Sequence, residues 1–177
     1  GAVEDAAGQE QLEHADQEAD GVSEGGPAQK EKNMSVTQND PGTIYLGGPR
    51  QVVNDLAASA EITPGMLVEK FNNAGVWRVR PHSLTSAAGS QYATEQSMLN
   101  KGVDDVYAAN DLVETSIGAP GSTFWALIAS GQTIVFGNAL ESAGDGTLKV
   151  FSAGTKIANA LESKTATALT RLRVEVI

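Results

Sequence analysis

The clearest periodic stretch lies at the C-terminal end of the chain. In the run Leu169 to Ile177, side chains alternate from Arg171 on, with Leu172, Val174 and Val176 on one face and Arg171, Arg173 and Glu175 on the other. A period of two predicts a strand with one buried and one solvated face. Shorter runs predict further strands at Thr43 to Leu46, Gln51 to Asn54, Met66 to Phe71, Val76 to Arg80, Asp111 to Ile117, Ser122 to Ala129, Asn138 to Ser142 and Thr147 to Phe151. Lys156 to Leu161 is expected to pair with the final run as a hairpin. Gly47-Gly-Pro49, Pro120-Gly121, Ser130-Gly131 and Gly144-Asp-Gly146 punctuate these segments. Many short strands separated by Gly/Pro turns predict a mainly β fold, a compact small β-barrel or β-sandwich. Residues 82–110 are less legible: Gln91 to Leu99 fits a strand or a short helix, and Gly102 to Asn110 a structured loop.

One pattern occurs twice. Ile62-Thr-Pro-Gly65-Met-Leu-Val68-Glu69 is followed by Gly75-Val-Trp77-Arg78-Val79, and Ile134-Val-Phe-Gly137-Asn-Ala-Leu140-Glu141 by Gly146-Thr-Leu148-Lys149-Val150. Each copy has the form of a β-hairpin with an inward and an outward face, so an internal hairpin repeat is expected. The repeat also explains why Glu69 and Glu141 are equivalent: a shared structural role, such as bonding a turn amide, accounts for both better than a catalytic carboxylate pair.

Charge divides the chain. Of the net −10, residues 1–33 carry −7, from nine acids against two bases, so the remaining 144 residues carry −3. Residues 1–42 hold few large apolar side chains and cannot bury enough surface to offset the entropy of ordering; they are expected to form an acidic arm that becomes ordered only on a partner. A short helix around Glu10 to Ala19 would have only Leu12 on an apolar face. Residues 43–177 form the β-rich domain. In Lys30-Glu-Lys-Asn-Met34 the Lys-Glu codons can double as a ribosome-binding sequence, which sets a shorter form starting at Met34 against a chance occurrence, and a chain beginning at Gly1 suggests cleavage upstream or a remnant of expression. An acidic chain without a basic stripe gains nothing from counterion release, so no direct nucleic-acid partner is expected. No apolar run approaches the roughly 20 residues of a membrane span, and no membrane partner is expected.

Candidate chemistry is sparse. Without cysteine, and with only His14 and His82, neither thiol chemistry nor a multi-histidine metal site is available within one chain, and no cofactor is expected. Asp104, Asp105, Asp111 and Glu114 lack the rhythm of a calcium loop and are better read as loop carboxylates bonding backbone amides. Gly144-Asp-Gly146 is a hairpin turn, not a phosphate loop, because a strand follows it. His82 lacks a Gly-x-Ser-x-Gly partner and is expected to be a surface histidine at a strand end, so no catalytic residue is assigned and the chain is not read as an enzyme. Trp125, beside Phe124 and Leu127, is expected in the core, whereas Trp77 suits either core or interface. Thr43, Ile44, Tyr45 and Leu46 emerge from the polar arm: they are either the first strand of the domain or a strand added to a partner's open sheet edge.

Ile44-Tyr-Leu-Gly-Gly, Ile62 to Glu69, Lys101 to Glu114, Gly137 to Leu148 and Thr170 to Ile177, in this order and spacing, resemble the capsid decoration (cement) proteins of tailed bacteriophages, including the lambda head decoration protein. The resemblance covers about residues 43–177. It implies a small β-tulip-like domain that assembles as homotrimers on the outer surface of the virion after meeting it in the host cytoplasm. It also implies an N-terminal arm that pairs with the major capsid protein, and a role in stabilising the expanded head against internal DNA pressure. No catalytic residues come with it. The acidic residues 1–33 depart from the compact family pattern. The alternative reading is a β-rich carbohydrate or host-surface binding module displayed on a virion or cell.

Overall fold

A computed structural model describes residues 42–177. The expectations for the acidic arm, its helix and Met34 fall outside these residues. The described part begins with β1 (Tyr45–Gly47) and continues through β2 (Arg50–Ala58), β3 (Leu67–Asn73), β4 (Val76–Pro81), β5 (Gln91–Ala93) and β6 (Leu112–Gly118). There follow β7 (Thr123–Ile128), β8 (Thr133–Ile134), β9 (Ala139–Ser142), β10 (Leu148–Val150), β11 (Ala158–Ala160), β12 (Lys164–Thr165) and β13 (Thr170–Val176). A single 3-10 turn at Ser97–Leu99 is the one helical element among the described residues. The mainly β expectation holds, and the architecture is a barrel.

There are two barrels, built on one plan. The first closes in the order β2-β4-β3-β5-β6, and the second in the order β7-β10-β9-β11-β13, shut by the β13–β7 ladder. In each, the first strand runs parallel to the third, at Ala57↔Arg78 and Ala58↔Val79 in one barrel and Ile128↔Leu148 in the other. The second and third strands form an antiparallel hairpin, the second pairs with the fourth, the fourth with the fifth, and the fifth returns to the first. The isolated bridge Ile62↔Tyr107 of the first barrel corresponds to the β8–β12 ladder at Ile134↔Lys164. The hairpin repeat of the sequence is therefore the most conspicuous part of a duplication that spans a whole barrel.

Alternation places the cores. Leu172, Val174 and Val176 are buried, while their outward neighbours Arg171, Arg173 and Glu175 are half-buried or exposed. The first barrel encloses Leu56, Val68, Val79, Ala93, Tyr107 and Val113. The core of the second, centred on Phe124, Ile128, Leu140, Leu148 and Leu172, continues past its own wall to Leu67 and Tyr92 of the first and to Ile44. Tyr92 stacks on Phe124 with ring centroids 4.6 Å apart, and the edge of Tyr45 meets the same ring at 5.6 Å. The two barrels thus share one apolar seam. Gly118 permits it, because a Cβ there would lie 2.7 Å from the Phe124 ring.

Two residues differ from expectation. Trp125 is half-buried on the outer face of β7, with the Arg173 guanidinium 5.9 Å from its ring, because successive strand residues face opposite ways and Phe124 takes the core side. His82 is buried at 3% exposure, because the second barrel packs over the end of β4.

Candidate interaction surfaces

The repeated glycines make the same turn twice. Met66 N–H donates to Thr63 O at 3.0 Å and Asn138 N–H to Val135 O at 2.9 Å, so Gly65 and Gly137 each occupy the third position of a β-turn, with φ of 96° and 82°. Only glycine enters that backbone region without strain.

Beyond each turn, the repeated glutamate is clamped by equivalent groups. Glu69 faces Arg80 across β3–β4, accepting from its Nε at 2.7 Å, and accepts from Ser83 Oγ, three residues further on, at 2.7 Å. Glu141 faces Lys149 across β9–β10, with Nζ at 3.3 Å, and accepts from Ser152 Oγ, again three residues further on, at 2.8 Å. Ser83 N–H and Gly154 N–H complete the respective sets at 3.4 and 2.8 Å. Burial acts to raise both carboxyl pKa values. Hydrogen bonds from Ser83 and Arg80 outweigh it at Glu69, which lies below its ordinary value, and those from Ser152, Gly154 and Lys149 lower Glu141 to about 2. These charges are structural, engaged within the chain.

His82 is likewise spent on the joint between barrels. Its Nδ1 lies 2.9 Å from Ser142 Oγ, its Nε2 lies 3.0 Å from Ala88 O, and the nearer approach to Glu69 is only 3.9 Å. Both ring nitrogens are therefore engaged, one by the buried Ser142 of the second barrel and one by a backbone carbonyl. Two of the four carboxylates bond backbone amides as the sequence suggested, Asp105 accepting from Gly102 N–H at 2.7 Å and Asp111 from Ala108 N–H at 3.0 Å, whereas Asp104 accepts from the Arg171 guanidinium at 2.8 Å and Glu114 from the Thr94 hydroxyl at 3.4 Å. Among the described residues, no cluster of three or more potential metal ligands occurs.

Thr43 to Leu46 lies on the chain's own sheet. Tyr45 pairs with Phe124 and Gly47 with Thr123; Ile44 is fully buried, its carbonyl accepting from Trp125 N–H at 2.8 Å and its N–H donating to Glu95 at 2.9 Å. Thr43 Oγ1 donates to the same carboxylate. One edge of this segment is occupied by β7 and the other has no strand partner among the described residues. Trp77 stands at the tip of the β3–β4 hairpin, 61% exposed, beside exposed Val76. The hairpin turns through Ala74 and Gly75, both with positive φ, and Asn72 Oδ1 accepts from Gly75 N–H at 2.8 Å. Sequence reasoning missed a second exposed apolar group, Val135 and Phe136 on the β-turn between β8 and β9, together with Leu112 on the outer face of β6. The signal was present in Val135-Phe136, two large apolar residues at the turn positions where the first copy has Thr63-Pro64.

No family model matches the chain, and no curated protein matches it. Among solved structures, it is similar to the head fiber gp8.5 N base of bacteriophage phi29, at 12% identity and a TM-score of 0.49, over 73% of this chain and 98% of that one. That likeness is below the level at which a shared fold or role follows.

Proposed function

We propose that this chain is a non-enzymatic structural protein of a phage virion, which binds the exterior of the head, self-associates as trimers and stabilises the expanded shell against internal DNA pressure. The observation that carries this reading is the division of labour between interior and surface. Polar groups capable of chemistry, His82, Glu69 and Glu141, are consumed inside the fold, whereas large apolar side chains stand on its projections, at Trp77, Phe136 and Met98. A surface of this kind suits docking, and exposed apolar groups rimmed by polar ones mark contact sites. Many modest contacts made at once by an oligomer sum to large avidity on a repeating lattice. The ordered sequence segments that resemble capsid decoration proteins support the choice of lattice.

In this reading the major capsid protein pairs with the outer edge of the Thr43–Leu46 segment, since β7 already holds the inner one, and Trp77 adds an aromatic anchor. The test is to heat DNA-filled heads with and without the protein. Decorated heads are expected to retain DNA at temperatures where bare heads lose it; equal retention removes the stabilising role. The exposure of Trp77 also favours a second reading, a carbohydrate or host-surface binding module, because a solvent-facing indole can stack on a sugar ring. Glycan-array binding that is lost in Trp77→Ala would select that reading.

A further inference from the structure

The two barrels meet through unlike surfaces, and each barrel owns a version of the surface that the other uses. The first barrel contributes its Thr63–Met66 turn. The second contributes the outer face of β7 and β13, where Leu127 and Arg171 are a cross-strand pair. Leu127 N–H donates to Gly65 O at 2.9 Å, Arg171 Nε donates to Pro64 O at 3.3 Å, and Arg171 Nη1 bonds Asp104 at 2.8 Å. Leu127 is consequently only 3% exposed.

The duplication supplies both halves a second time, and among the described residues neither meets the other barrel. The counterpart of the Thr63–Met66 turn is Val135–Asn138, and the counterpart of the Leu127–Arg171 pair is Ala57–Leu112, the cross-strand pair at the same register of β2 and β6. Their chemistry changes in step. Where the internal joint has Pro64, the free turn has Phe136, 66% exposed, flanked by Val135. Where the internal joint has Arg171, the free face has Leu112, 54% exposed. A polar joint inside the chain thus corresponds, among the described residues, to two uncovered halves whose matching positions, Phe136 and Leu112, are both apolar, with Arg78 beside Ala57 held by Asn110.

We propose that the Val135-Phe136 turn of one copy docks on the Ala57–Leu112 face of a second copy, continuing head to tail between molecules the joint that already links the barrels within one. The backbone bond of the internal joint is not repeated, because β4 already reaches Ala57 at Arg78; the contact is made by side chains. A joint between unlike surfaces is heterologous, so it closes into a ring or propagates as a chain, and it leaves each end open until it closes. The inference deepens the self-association in the proposed function and uses no contact with a capsid.

The test uses the full chain in analytical ultracentrifugation. Wild type is expected to sediment above the monomer, and Phe136→Glu and Leu112→Glu each to weaken association by at least about tenfold. Leu84→Glu, at another exposed apolar position, is expected to leave association unchanged. The decisive arm mixes the two variants: each retains the half that the other lacks, so the equimolar mixture is expected to form a 1:1 heterodimer and nothing larger. A wild type that stays monomeric up to its solubility limit overturns the proposal, as do single variants that associate like wild type or a mixture that stays monomeric. Circular dichroism confirms that the variants are folded. Binding to heads is measured separately: association as described without head binding sinks the capsid reading alone, and head binding without this association sinks the present one alone.

Discussion

The first barrel is the more open of the two and the second the more enclosed, although they share one strand plan. In the second, the edge of β7 is covered in turn by Ile44 of the leading segment, Gly65 of the first barrel and Leu148 of β10. In the first, β2 pairs with β4 only at Ala57 and Ala58, and Arg50 to Val53 has a partner on the β6 side alone among the described residues. The hairpins differ in the same direction. That of the second barrel is cut short at Gly146, which bonds Leu67 and His82 of the first, whereas that of the first runs on to an exposed Trp77. Equivalent elements therefore diverged in what covers them: the edge of β7 is closed by three neighbours, while much of β2 and the tip of the β3–β4 hairpin stay exposed among the described residues.

The seam is where this contrast breaks most readily. Phe124→Ala removes the ring that Tyr92 and Tyr45 pack against and is expected to cost about 3–5 kcal/mol, read from urea unfolding of the full chain. A loss well below this would mean that the barrels are stable without their shared core.

The two turn glycines sharpen the comparison next. Both need positive φ, but a Cβ on Gly65 would lie 2.8 Å from Trp125 O, whereas one on Gly137 meets nothing within 4 Å. Gly137→Ala is expected to cost about 1 kcal/mol from backbone strain alone, and Gly65→Ala roughly 3 kcal/mol, because the joint must also shift. Equal costs would contradict the placement of the first turn against the second barrel.

The paired glutamates respond to acid in unequal measure. Glu141 has a folded pKa of about 2 against an ordinary 4.5, so its charged form stabilises the fold above the ordinary value and that contribution is lost as pH falls toward 2. Glu69 is shifted the same way but is partly exposed, and solvent screening reduces its share. Glu141→Gln is expected to lower stability at pH 7 and to flatten the acid limb of the unfolding curve between pH 4.5 and 2, with Glu69→Gln doing so to a lesser degree. The smallest effect is that of Trp77→Ala, expected to change stability by no more than about 0.5 kcal/mol, because the side chain is mostly in solvent.

The sequence made the strands legible where they alternate and the repeat legible where both copies keep a glycine turn and a glutamate, at Gly65 and Glu69 and at Gly137 and Glu141. It concealed the extent of the duplication because the copies differ in length and in outward chemistry. Val79 and Leu148 occupy one place on the third strands, as do Val113 and Leu172 on the fifth, and both pairs are buried; between them the connections differ, and Leu112 stands where Arg171 does. The short β5, with Gln91, Tyr92 and Ala93 all buried, shows no alternation because the seam covers its outer side. His82 was misplaced for the same reason: its burial comes from a contact with Ser142, 60 residues away, that no local pattern records.

The most direct measurement is the copy number of this chain relative to the major shell protein in purified virions, by quantitative mass spectrometry. A cement role predicts a count close to that of the shell subunit. A handful of copies per particle, or none, would contradict it.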